Sequence, residues 1–197
     1  MVSDGGFIVN SGFESANRES AVRAFIFGLI IGVIAVPFAV YAWFGTGSVP
    51  VATSAAPMPY ERTLAHRALQ ARISKEMPKN VPIAADENNY KAGAQIYRDN
   101  CAVCHGFSDG SASPIAQGMF PKPPRLLKGT GVTDDEPGET YWKVANGIRL
   151  SGMPGFKESL SETQMWQVSL LLANADKVPE SAKALLTPAP PVAMPLR

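Results

Sequence analysis

The chain has 197 residues, 46% of them hydrophobic, and 18 Lys and Arg against 17 Asp and Glu leave a formal charge of +1. That length holds one compact domain of ordinary size with appendages. The near-neutral balance gives no sign of a nucleic-acid or acidic-substrate partner, and no nucleic acid is expected.

Residues 1–23 read as a polar N-terminal tail, and residues 24–44 (AFIFGLIIGVIAVPFAVYAWF) contain no charged side chain. At 1.5 Å per residue such a run spans about 30 Å, the thickness of a bilayer's hydrocarbon core. A single transmembrane helix in the lipid bilayer is predicted, with Tyr41, Trp43 and Phe44 suited to the outer interface. The competing reading is a cleaved secretory signal processed near Ser54-Ala55-Ala56. The run is longer than an ordinary signal core and the polar stretch 1–23 precedes it, which favours retention. Arg18 and Arg23 precede the run and no Lys or Arg follows before Arg62. The N-terminus is therefore predicted cytoplasmic and everything after residue 44 periplasmic, in a bacterial inner membrane. Gly28, Gly32, Ala35, Ala39 and Ala42 recur as one small-residue stripe that lets another helix approach, although such residues are common in membrane helices generally. Pro37 is expected to kink or loosen the helix.

Residues 45–85 read as a linker with a short helix. Residues 45–59 are rich in Gly, Pro, Ser and Ala and suit an extended exit from the membrane. Residues 60–76 are good helix formers with a partial apolar face of Leu64, Ala68, Leu69 and Ile73, stopped by Pro78. Residues 77–85 return to a loop.

A domain is predicted over residues 86–178. Its first helix starts at Asp86 or Asn88 as cap and runs through Tyr90, Ala94 and Tyr97 towards Cys101. Gly93, Tyr97 and Cys101 share one helical face, and a glycine inside a helix predicts a second helix crossing closely there. The helix leads into Cys101-Ala102-Val103-Cys104-His105. Two thiols spaced to meet the two vinyl groups of one haem, followed directly by a histidine, form a c-type haem attachment signal. Cys101 and Cys104 then hold one covalent haem c by thioethers, and His105 is the proximal iron ligand. Both cysteines are thereby taken out of disulfide chemistry. A structural zinc site wants four Cys or His ligands, and outside the motif the chain offers only His66. A thioredoxin-like dithiol wants a neighbouring βαβ pattern, which is missing. His66, beside Arg67, reads as a solvent-facing helical histidine rather than a second haem ligand. The span 24–44 holds no His, Met or charged residue, so it can neither ligate a b-type haem nor relay protons.

Residues 111–132 read as a Pro- and Gly-punctuated loop. A shorter helix follows near 137–147, with Tyr141, Val144, Ala145 and Ile148 at helical spacing. Arg149 to Gly155 form an irregular loop. Ser161-Glu162-Thr163-Gln164 matches a capping box and opens a helix over 162–174, apolar at Met165, Trp166, Val168 and Leu170–Leu172. Trp166 is expected to lie against Gly93. Residues 179–197 are Pro- and Ala-rich and read as an extended tail suited to lying on a partner subunit. The fold class is all-α.

Residues 86–176 resemble the class I c-type cytochromes: a helix with Gly93 and Tyr97 leading into CAVCH, the Pro-x-Leu loop Pro124-Arg125-Leu126, the Gly-Met-Pro loop at Met153, and a C-terminal helix with Trp166. The resemblance implies a small haem domain with Met153 as the sixth iron ligand opposite His105. It also implies that the Pro124 carbonyl accepts the hydrogen bond of the His105 Nδ1, fixing the ring. Met119 is the rival thioether, and its alternative role is packing over the haem edge. The anchor, the 60–76 helix and the tail lie outside the resemblance.

A thioether ligand favours ferrous iron and fills the position where oxygen would bind. The expected function is one-electron transfer in a respiratory or photosynthetic chain, as a subunit of a membrane redox complex or a tethered shuttle, with another cytochrome or a copper protein as partner and no enzymatic reaction of its own. A haem enzyme or gas sensor whose Met153 dissociates is the alternative. Tyr97 and Phe156 read as core residues, while Trp142 is placed to reach a haem propionate. Lys122, Arg125 and Lys128 form a basic group and Asp134, Asp135, Glu136 and Glu139 an acidic one; either steers a partner or is ordinary loop solvation.

Overall fold

The computed structural model describes residues 11–127 and 135–188. The chain divides after Val51 into two compact units. The first contains one long helix, α1 (Ser11–Phe44), which runs unbroken through Pro37. It starts well before residue 24, so residues 11–23 of the polar stretch are helical. The i,i+4 pair Glu19–Arg23, at 3.6 Å, sits on that extension and gives modest support. From Arg18 to Phe44 the helix is long and apolar enough to cross a membrane, and none of its most apolar window is buried in the protein. A side chain on Gly28 or Gly32 would meet nothing within 4 Å.

The second unit is helix and loop, with no strand among its described residues. Its elements are α2 (Glu61–Glu76), α3 (Glu87–Asn100), α4 (Ala102–His105), α5 (Pro114–Gly118), α6 (Pro137–Asn146), α7 (Glu162–Ala173), α8 (Glu180–Lys183) and a 3₁₀ turn, Ala184–Leu186. Local chemistry starts them where the sequence predicts. The Asp86 carboxylate accepts from the Asn89 amide at 2.9 Å to cap α3. Ser161 and Gln164 form a reciprocal capping box on α7.

The core lies where α3 crosses α7, with α6 against the other flank of α7. Ala94, Tyr97, Val168 and Leu171 are fully buried there. Burial of each large apolar side chain is worth roughly 1.5–3 kcal/mol. Gly93 makes the crossing close: a Cβ on it would lie 2.3 Å from the Gln167 carbonyl oxygen and 3.1 Å from the Leu171 Cβ. The partner of Gly93 is thus the α7 backbone and not Trp166. The indole instead stacks on Tyr141 of α6, with ring centroids 4.2 Å apart. Trp166 and Gln167 are adjacent on a helix, so one residue of rotation decides which of them faces α3.

Residues 180–186 are not the predicted extended tail. Val178, Ala182 and Leu186 recur at helical spacing and are all buried against the core. Leu186 accepts from the Ser108 amide at 3.0 Å, and Ser181 donates to Glu87 at 2.7 Å. The segment therefore covers its own α3 rather than a partner subunit. The remainder of the tail, from residue 189, lies outside the described residues.

On the opposite flank α2 buries Ile73 fully, at 1% exposure, while Leu64 stays 64% exposed. Polar contacts complete the joint. Gln70 donates to Glu139 at 3.2 Å, and Lys143 bridges Glu139 at 2.7 Å and Asp135 at 2.8 Å. The Trp142 ring nitrogen donates to Glu76 at 3.1 Å. His66 is exposed, as its sequence context predicts.

Candidate haem site

The attachment motif sits at the C-terminal end of α3. Cys101 is the C-cap of that helix, and its carbonyl accepts from the amides of Cys104 at 3.0 Å and His105 at 2.9 Å. One tight turn thus places the two thiols and the imidazole together, all three half-buried. The cysteines are unbridged. Burial first, and then the neighbouring Cys104, pushes the Cys101 thiol up to about 12.

The His105 Nδ1 lies 2.8 Å from the Pro124 carbonyl oxygen. That bond makes Nδ1 the protonated nitrogen and leaves Nε2 with its lone pair for a metal. Burial keeps the imidazole below its ordinary pKa, partly offset by the bond to Pro124, so the neutral form that can ligate is favoured.

Beneath the motif, the Tyr97 hydroxyl donates to the Gly106 carbonyl at 2.7 Å in a fully buried position. Burial raises the phenol far above its usual range, so it remains a donor at any physiological pH. Gly106 has φ +78°, and a side chain there would run into Arg125 and the Ser111 carbonyl. Tyr97→Phe strands that buried carbonyl, at a cost of about 1–3 kcal/mol. Thermal unfolding is expected to move down by at least about 4 °C, at roughly 4–8 °C per kcal/mol for a domain of this size; an unchanged midpoint would show that the bond is not needed to close the turn.

Met153 lies in the loop that leaves α6. Glycines pinch the base of this loop. Gly147 has φ +67°, and a Cβ on it would lie 2.5 Å from the Gly155 amide nitrogen. Backbone bonds staple the stems: Ile148 N to Met153 O at 3.1 Å and Phe156 N to Val144 O at 2.9 Å. Met153 is half-buried and borders the same apolar core as Cys101, Leu126 and Phe156. The structure therefore joins His105 to Pro124 directly, and sets Cys101 and Met153 around one core.

The donors fit a covalent haem: paired thiols on one turn, a neutral imidazole oriented by a carbonyl, and a thioether on a loop held at both stems. Among the described residues no group of three or more His, Cys, Asp or Glu could hold a bare metal ion.

Two features were missed in the sequence. Arg125 is tied into the site, because its guanidinium donates to the Ser111 carbonyl over Gly106. In addition, the loop 111–132 contains α5, capped by Ser113, whose Ser-Pro start was a readable helix signal. Of the supposed acidic group, Asp135 and Glu139 pair with Lys143 within the domain. Lys128 and Asp134 lie outside the described residues.

With its helices, its histidine turn and its methionine loop in this arrangement, the segment is a class I c-type cytochrome domain, all-α and carrying covalently bound haem c. Residues 88–170 match the family described as cytochrome C oxidase, cbb3-type, subunit III. Haem-based electron transfer follows as the domain's activity. Among solved structures, the chain is similar to a reducing HAO-like protein complex of Kuenenia stuttgartiensis, at 23% identity with a TM-score of 0.43. That match covers 49% of this chain and 47% of the other, so the chain spans less than half of that relative's length. No curated protein matches the chain.

Proposed function

We propose that the chain is a membrane-anchored monohaem carrier that moves single electrons as a fixed subunit of a periplasm-facing redox complex. The carrying observation is the 2.8 Å approach of His105 Nδ1 to the Pro124 carbonyl. It leaves one nitrogen, already stripped of its proton, for axial ligation. Cys101 and Cys104 hold the haem by thioethers, His105 is the proximal ligand, and Met153 takes the sixth position from its pinched loop. The haem supplies reversible one-electron chemistry at its iron. The chain supplies a rigid cradle: Tyr97 and Gly106 lock the attachment turn, and the loop stems at Gly147 and Gly155 restrict the thioether.

The exposed apolar helix α1 supports membrane attachment, with Arg18 and Arg23 on the cytoplasmic side. The description of the matching family, an oxidase subunit, favours a fixed subunit over a free shuttle. Other redox subunits of the same membrane, cytochromes or copper proteins, are then its donors and acceptors, in a respiratory or photosynthetic chain.

The test is spectroscopic. The oxidised protein is expected to show the weak far-red methionine–iron band, and the reduced protein is expected not to bind carbon monoxide at neutral pH. Met153→Ala should lose the band and open the site. Rapid carbon monoxide binding by the native protein would overturn the carrier reading in favour of a gas-binding one.

A further inference from the structure

Helix α5 connects the two ends of the site. At its N-cap the Ser113 hydroxyl donates to the carbonyl of Val103, which lies between the motif cysteines. The same oxygen accepts from the Ala116 amide at 3.1 Å. Ala116 is buried and fixes the helix, which packs on α4. At its other end Met119 is the C-cap. Its side chain fills the place where a side chain on Gly152 would begin: a Cβ there would lie 1.8 Å from the Met119 Cε and 3.4 Å from its sulfur.

Gly152 directly precedes Met153, and it does not have the positive φ that would demand glycine for the backbone. The Met119 methyl therefore occupies the space that a side chain at position 152 would enter, and a side chain there would displace it. Met119 does not belong to the main apolar core. The tip of the loop has little else over it, since Leu150 is 94% exposed and holds φ +60°. A flexible thioether suits such a gap because its unbranched chain adapts to an irregular surface.

We infer that Met119 is a positioning residue for the sixth-ligand loop, with α5 as a strut running from the Cys101–His105 turn to Gly152. The inference rests on Met153 being the ligand. By pressing on Gly152, Met119 keeps the neighbouring sulfur seated and slows its release. A residue that only filled space would change stability without changing how readily the sixth position opens.

Carbon monoxide binding to the reduced holoprotein reads that opening, and the far-red band of the oxidised form reads the ligand bond. Met119→Ala is expected to speed carbon monoxide binding about tenfold, the factor that corresponds to losing one side-chain contact of ordinary strength. It should also weaken the band, whereas Met119→Leu should stay close to native. Gly152→Ala should act in the same direction, because the new methyl and the Met119 Cε cannot share one place. The double variant Met119→Ala/Gly152→Ala should lie nearer to native than either single one, since the methyl introduced at position 152 enters the vacated space. Native carbon monoxide exclusion and a full band in Met119→Ala, or simple additivity in the double variant, would overturn the inference. Should Met119→Ala accumulate no holoprotein, Gly152→Ala decides alone, and native exclusion there overturns it. If Met153→Ala kept the band while Met119→Ala lost it, Met119 would itself be the ligand, and the assignment of Met153 would fail rather than the strut alone.

Discussion

Replacing Cys101 and Cys104 together by serine is expected to abolish covalent haem completely, so that a haem-stained denaturing gel shows no signal at the position of this chain. The substitution is nearly isosteric, and the turn it alters is held by backbone. The Cys101 carbonyl takes the amides of Cys104 and His105 at 3.0 and 2.9 Å whichever side chains are present. Tyr97 still closes on Gly106 beneath. Loss of stain would therefore report lost thioethers and not a lost turn. His105 could retain some haem by coordination alone, which denaturation strips away. Stain that persisted on the double mutant would remove both cysteines from the site and with them the c-type assignment.

The helices around the haem were legible because each announced itself locally. Asp86 and Ser161 are side chains whose oxygens satisfy the first free amides of a helix, and α3 and α7 begin right after them. The motif at 101–105 was legible because attachment chemistry needs those residue types at that spacing. The pairing of His105 with Pro124 is different in kind. It joins positions 19 residues apart across a loop, and only the family resemblance pointed to it before the distance of 2.8 Å was seen.

What escaped the sequence is what depends on tertiary register. That α3 and α7 cross at Gly93 was readable, yet that the Gln167 backbone rather than Trp166 meets the glycine depends on the rotation of α7. The charged groups misled for a related reason. Asp135 and Glu139 of the acidic group sit at spacings from Lys143 that allow pairing, and pairing within the domain takes their charge away from partner steering. Composition concealed residues 180–186, because the prolines before and after them suggested an extended chain, while the apolar period of Val178, Ala182 and Leu186 carried the true signal. The Met119 contact was not readable at all, since a lone methionine in a Pro-rich loop says nothing of where its methyl goes.

Substitution of Gly93 is expected to have the largest effect on stability in the haem domain. Alanine in place of a mid-helix glycine ordinarily stabilises a helix by about 1 kcal/mol. Here the added methyl would come 2.3 Å from the Gln167 carbonyl oxygen and 2.8 Å from its carbon, and these are backbone atoms that cannot rotate aside. The helices must then separate, loosening the contacts of Leu171, Val168 and Tyr97, all of them fully buried. Overpacking of this kind costs about 1–3 kcal/mol or more, so the clash outweighs the propensity gain. Gly93→Ala is expected to lower the unfolding midpoint of the holoprotein by several degrees, at roughly 4–8 °C per kcal/mol for a domain of this size. Gly93→Leu, which drives three further carbons into the same crossing, is expected to yield no folded haem domain. Gly118→Ala is the control, because a Cβ there meets nothing within 4 Å. It should leave the midpoint unchanged or slightly raised. A Gly93→Ala protein as stable as native would mean that α3 and α7 can part at little cost, and that their close crossing does not hold the attachment turn in place.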